Sequence, residues 1–169
     1  SDEVLVALKL ELVQSLHKAK RLTRAAELAG EALAQLRQPG FRSEDPQLRL
    51  SRPLDQLAKI CIERRQYPRA EHYLDQARAI ADADGDLDRL GEIHLHYAAL
   101  YRAQNKNRRT YQALVRALEL TQVNHDLRAK VRVLYNLGTA SALLGKRSEA
   151  RRFLSDASEV AINLGWTDF

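Results

Sequence analysis

Small and apolar residues return at a fixed interval along this chain. Leu74, Leu114 and Leu154 stand 40 residues apart, and so do Ala77, Ala117 and Ala157. The same step relates Leu57, Tyr97 and Leu137, then Ala58, Ala98 and Gly138, then Cys61, Tyr101 and Ser141. A further copy lies upstream, with Leu12, Val13 and Leu16 followed by Ala25, Ala29 and Ala32. Its offset is 45 because Gln38 to Leu50 carries extra residues. A repeat of this length restricts the fold to units that stack on their neighbours.

Each copy contains two helical runs. In the last copy Leu134, Leu137 and Leu144 follow helical spacing. Gly145-Lys146-Arg147 breaks the run, and Ala150, Leu154 and Ala157 then share one face. Facing stripes of small residues let two antiparallel helices approach closely, which is an αα-hairpin. The spacing predicts helices over Val4–Ala19, Arg24–Arg37, Leu54–Arg65, Pro68–Ala83, Leu87–Gln104, Arg108–Val123, Leu127–Leu144 and Ser148–Leu164. Asp2 and Glu3 suit a helix N-terminus. Tyr67-Pro68 makes a turn, with Pro68 in the first turn of its helix. Gly85 is placed to take a left-handed backbone, and Asp86 to cap the next helix; Asn124-His125-Asp126 repeats that device. Asn105 and Gly145 close their hairpins at equivalent positions. β-branched clusters are absent, so the class is all-α. At 169 residues the chain is long enough to bury about 70% of its unfolded surface, here as a seam between stacked hairpins.

The pattern resembles the tetratricopeptide repeat (TPR) family, whose first helix reads W-x2-L-G-x2-Y and whose second reads A-x3-F. Leu134-x2-Leu137-Gly138-x2-Ser141 with Ala150-x3-Leu154 fits that spacing. So do His94-x2-Tyr97-Ala98-x2-Tyr101 and Leu54-x2-Leu57-Ala58-x2-Cys61 with Ala70-x3-Leu74. The Trp slot holds Leu or His, and the period is longer than the family's, as in its bacterial regulatory members. The resemblance implies a right-handed α-solenoid of four antiparallel helical hairpins, over about 2–37, 47–83, 86–123 and 126–164. Together they form one repeat domain, 1–164, with 165–169 a cap or the start of a following segment.

The resemblance also implies a concave face lined by the first helix of each hairpin. The inward stripe is Arg52, Asp55, Gln56, Lys59 and Ile62, then Glu92, Leu95, His96, Ala99 and Arg102, then Arg132, Tyr135, Asn136, Thr139 and Ala142. Family members that hold chaperone C-terminal carboxylates use a Lys/Asn/Arg clamp. Asn136 matches one Asn of it, but Asp55, Leu95 and Tyr135 stand where a Lys is needed, so that mode is not expected. The expected function is a protein- or peptide-binding scaffold, the regulatory or sensory arm of a larger bacterial signalling or transcription protein. The alternatives are self-association controlling an attached effector, and nucleic-acid binding through a basic edge.

That edge gathers the cations near the turns within hairpins. They are Lys18, Lys20, Arg21 and Arg24, then Arg64, Arg65 and Arg69, then Lys106, Arg108 and Arg109, then Lys146, Arg147, Arg151 and Arg152. Glu44, Asp45, Asp82, Asp84, Asp86, Asp88 and Asp126 collect at the other ends. Complementation of helix dipoles accounts for this division. Interleaved aromatics for base stacking are lacking, which argues against nucleic acid as the partner.

No phosphate loop, nucleophile elbow or paired-carboxylate motif is present, so the chain is not expected to be an enzyme. The aspartates between hairpins lack calcium-loop spacing. His17, His72, His94, His96 and His125 have no Cys or carboxylate at ligand spacing, so neither a metal nor a cofactor is expected. His94 is expected in the core, and Cys61 as an inert buried thiol. No run of about 18 apolar residues exists to span a membrane, and a cytoplasmic location is expected. The chain begins at Ser1-Asp2 and contains no Met, and is read as a piece of a longer protein. Trp166 is expected either to cap the last hairpin or to precede another domain. Thr167-Asp168-Phe169 resembles the opening of diguanylate cyclase domains, which would make the segment an input arm.

Overall fold

The computed structural model describes residues 2–41, 50–124 and 126–166, with the side chains of 122–124 left aside. The expectations for Glu44, Asp45, His125 and Thr167-Asp168-Phe169 therefore lie outside the described residues. Among those described there are eight helices and no strand. They are α1 (Asp2–Lys18), α2 (Leu22–Leu36), α3 (Ser51–Glu63), α4 (Tyr67–Asp84), α5 (Leu87–Ala103), α6 (Asn107–Asn124), α7 (Leu127–Leu143) and α8 (Arg147–Asn163). Each matches a helix the period anticipates. The chain divides into two compact units, Ser1–Asp84 and Gly85–Phe169, each of two hairpins.

In the first unit α1 pairs with α2 and α3 with α4. Ala25, Ala29 and Ala32 of α2 are fully buried, as are Ala70, Leu74 and Ala77 of α4. Leu10 and Val6 of α1 pack with Ala32 and Leu36, and Phe41 and Leu50 lean on that cluster. Lys9 Nζ donates to Gln35 Oε1 at 3.0 Å and lies 3.1 Å from Glu31, fixing the pair from outside. Cys61 is buried, and burial is the main cause raising its pKa.

In the second unit α5 pairs with α6 and α7 with α8. Asp86 accepts from the Arg89 N–H at 3.0 Å and Asp126 from the Ala129 N–H at 2.9 Å, so both anticipated caps form. Gly138 of α7 lies tight against Leu154 of α8. A Cβ there would fall 2.6 Å from Leu154 Cγ. Leu154 nevertheless remains 38% exposed, and Phe153 is the buried apolar residue of that turn. His94, expected in the core, is half-buried with its ring 5.9 Å from that of Tyr97.

One turn closes every hairpin. Lys20, Arg65, Asn105 and Gly145 all have a positive φ, between 57° and 76°. The next residue's N–H reaches back five positions: Arg21 to Leu16 O (2.9 Å), Gln66 to Cys61 O (2.8 Å), Lys106 to Tyr101 O (2.9 Å), Lys146 to Ser141 O (2.9 Å). This is the Schellman closure of a helix end. Trp166 and Gly165 repeat it after α8, with Trp166 N–H bound to Ala161 O at 3.0 Å. The guanidinium of Arg128 lies 5.8 Å from the centre of the Trp166 ring.

Candidate functional site

The anticipated inner stripe falls on α3, α5 and α7, but in two different settings. In the first unit α1 lies over part of α3. Asp55 and Gln56 are buried there, with Asp55 Oδ2 3.5 Å from Lys59 Nζ. Gln56 Nε2 donates to the Leu10 carbonyl at 3.3 Å. Since a carbonyl only accepts, this fixes the amide's orientation, and Gln56 Oε1 is left buried without a partner among the described residues. Half-buried Arg52 donates to Glu11 at 2.6 Å, a second tie from α3 to α1.

Between α1 and α3 remains a cleft of about 180 Å³. Its walls include Gln14, His17 and Lys18 of α1 together with Gln56, Lys59 and Ile60 of α3. Gln14 and His17 were not assigned to the stripe. The signal for them was available, since a shift of 45 carries Gln14 onto Lys59 and His17 onto Ile62. At the cleft's edge Glu63 accepts from Lys20 at 2.8 Å and lies 2.8 Å from His17 Nε2. The bond from Lys20 is the main cause holding its carboxyl below the usual range.

In the second unit the stripe is open. Tyr135 is 53% exposed, and Glu92, Arg102, Arg132 and Thr139 are exposed as well, with Leu95, His96 and Asn136 half-buried. Arg102 donates to Asn136 Oδ1 at 3.4 Å, and Asn136 Nδ2 to the Arg132 carbonyl at 2.8 Å. That chain of bonds joins α5 to α7 across a shallow cleft of about 40 Å³, whose floor includes Ala98, Ala99, Leu114 and Ala140. Glu92 is held by Arg89 at 2.7 Å. A guanidinium and an amide over small apolar residues, with an exposed phenol next along α7, are groups that protein-recognition surfaces use.

The nine basic-edge residues Arg64, Arg65, Lys106, Arg108, Arg109, Lys146, Arg147, Arg151 and Arg152 are all exposed. Several have structural work. Lys146 Nζ sits 4.4 Å over the Tyr111 ring and 3.3 Å from Glu149, while Tyr111 Oη donates to Glu149 at 3.0 Å. Arg109 covers Tyr101 and Arg152 covers Phe153, at 5.6 and 5.1 Å. Burial, then the bond to Glu149, raises the Tyr111 pKa. That same bond is the main cause lowering the pKa of Glu149.

No group of three or more His, Cys, Asp or Glu side chains suited to a metal occurs among the described residues. No described helix is long and apolar enough to cross a membrane.

No family model and no curated protein matches the sequence. Solved structures do match the fold. BtubC (BKLC) from P. vanneervenii superposes with a TM-score of 0.82 at 21% identity, over 98% of this chain and 66% of that one. The apo form of RapI gives 0.82 at 17% identity, over 98% of this chain and 59% of its own. A Podosopora anserina putative kinesin light chain with nearly identical TPR-like repeats gives 0.64 at 19% identity, over 94% and 76%. The chain thus spans just under two thirds of BtubC and rather less of RapI. The fold is all-helical and TPR-like.

Proposed function

We propose that this chain is a protein- or peptide-binding repeat scaffold that holds its partner on the inner stripe. It serves as a regulatory or sensory arm of a larger bacterial signalling or transcription protein, and does so in the cytoplasm without catalysis of its own. The observation that carries the reading is the open stripe of the second unit. There Arg102 and Asn136 meet over a floor of small residues, and Tyr135 stands exposed beside Asn136 on α7. Exposed aromatic and arginine side chains of this kind are the groups that contribute most to protein recognition. TPR-like repeats supply such faces rather than reaction centres, in keeping with the missing catalytic motifs. Three of the nine basic-edge side chains, Arg109, Lys146 and Arg152, are stacked on the protein's own rings, which favours the stripe over the edge as the working surface.

The test is a displayed-peptide selection on the full chain, followed by affinity measurements on an Arg102→Ala/Tyr135→Ala variant. Selected peptides should lose about tenfold or more in affinity, a loss of at least about 1.4 kcal/mol. Peptides that bind the variant as well as the parent chain would place recognition elsewhere.

A further inference from the structure

The two units treat the cations of the inner stripe differently. In the first unit each has a carboxylate from the chain itself: Arg52 lies 2.6 Å from Glu11, and Lys59 3.5 Å from Asp55. In the second unit Glu92 is already taken by Arg89 at 2.7 Å. Helix α7 carries Arg128, Lys130 and Arg132 with no Asp or Glu, and Asp126, which caps it, is bound to the Ala129 N–H. Arg102 and Arg132 are exposed and have no carboxylate partner among the described residues. The slot of Arg132 is open by position, since Glu92, its equivalent in α5, is exposed although another hairpin follows it.

Asn136 links the two arginines. Its Oδ1 accepts from the Arg102 guanidinium at 3.4 Å, and its Nδ2 donates to the Arg132 carbonyl, one turn back, at 2.8 Å. The first of these bonds is long for a hydrogen bond. A guanidinium held so loosely by a neutral amide gains by exchanging it for a carboxylate, because charge-assisted and bidentate bonds are the stronger ones. Beside it the cleft of about 40 Å³ is walled by Leu95, Ala99 and Leu143. That is room for a small aliphatic side chain. A nucleobase would need a ring to stack on, and none lines the cleft.

We infer that the stripe of the second unit takes an acidic peptide segment, with its carboxylates on Arg102 and Arg132 and a small aliphatic side chain in the cleft beside them. The inference rests on the peptide-binding reading above and adds the kind of peptide. The partner supplies to the second unit what Glu11 and Asp55 supply within the first.

The probes are peptides selected from a random display library on the full chain, each paired with a copy in which every Asp is Asn and every Glu is Gln. Arg102→Gln/Arg132→Gln removes both charges at exposed positions, so folding should be kept, as circular dichroism would verify. The single variants Arg102→Gln and Arg132→Gln serve if the pair does not fold. Selected peptides should be rich in Asp and Glu, and their amide copies should bind the parent chain about tenfold or more weakly. On the Gln variant a peptide and its copy should bind alike, and added salt should narrow the gap on the parent chain. Amide copies that bind the parent chain as well as the originals overturn the inference; if those peptides still lose affinity on Tyr135→Ala, the stripe reading stands without it. An acid preference that survives in the Gln variant overturns it too, by placing the acidic peptide elsewhere. So does an oligothymidylate that binds the parent chain more tightly than the peptides and is lost in the Gln variant. Peptides indifferent to Tyr135→Ala and to the Gln variant, or a library that yields no binder, sink the stripe reading and this inference with it.

Discussion

Asp55 and Tyr135 hold the same slot two repeats apart, yet one is 2% exposed and the other 53%. The slot fixes which face of the first helix a residue occupies. Whether that face is open depends on the helix beside it. In the first unit α1 is drawn over α3 by the Arg52–Glu11 pair and by the Gln56 bond to Leu10 O. In the second unit the corresponding bonds run between the side chains of Arg102 and Asn136 and leave the stripe accessible. Period thus determines facing, while local polar ties determine cover.

The contrast is open to direct attack, and the largest effect is expected in the core slots. Leu74→Ala and Leu114→Ala should each cost about 2–5 kcal/mol, as cavities in a packed interior do. Leu154→Ala, in the same slot but part-exposed, should cost about 1 kcal/mol. Denaturant melts of the three variants measure the difference, and equal losses would mean that α8 is covered in solution. Next comes the shared stripe slot. Asp55→Ala removes the buried partner of Lys59 and should cost about 2 kcal/mol, whereas Tyr135→Ala should lower stability by no more than about 0.5 kcal/mol while weakening partner binding.

The smallest effect is the response to pH. The carboxyl of Glu63 ionises more readily folded than unfolded, so its contribution is present above the ordinary glutamate range and is lost as the pH falls through the lowered folded value. For Tyr111 the folded value is raised, so its contribution is complete below the ordinary tyrosine value near 10 and fades as the pH climbs through the raised one. Acid should thus loosen a tie of the first unit, and alkali one of the second. Thermal melts of Glu63→Gln and Tyr111→Phe should show a flatter acid limb and a flatter alkaline limb, respectively. Unchanged limbs would break the assignment.

Most of the fold was legible because alanine and leucine recur where two helices must touch, and every helix began and ended within a few residues of its expected limits. The caps at Asp86 and Asp126 were legible for the same local reason. The left-handed backbone at Lys20 and Arg65 was not. Their side chains give no hint of a left-handed backbone, which the five-position hydrogen bond imposes on whichever residue occupies the place. Phe153 was passed over because Leu154 fits the repeat, although the packing of α8 turns Phe153 inward. The cover over Asp55 and Gln56 also escaped, since it comes from a different hairpin and depends on how closely α1 settles. The candidate stripe was therefore readable as a list of faces but not as a surface.

The recurring left-handed turn has a consequence for the chemistry of the chain itself. At Lys20, Arg65, Asn105 and Gly145 the backbone takes a conformation natural to the mirror-image series of amino acids. A D-alanine built into a synthetic chain at position 145 would fit without strain and would narrow the alternatives open to the unfolded backbone there. The same D-residue one position earlier, inside the closing turn of the helix, would oppose it. The boundary between the two responses locates each hairpin's reversal to a single residue, by handedness alone.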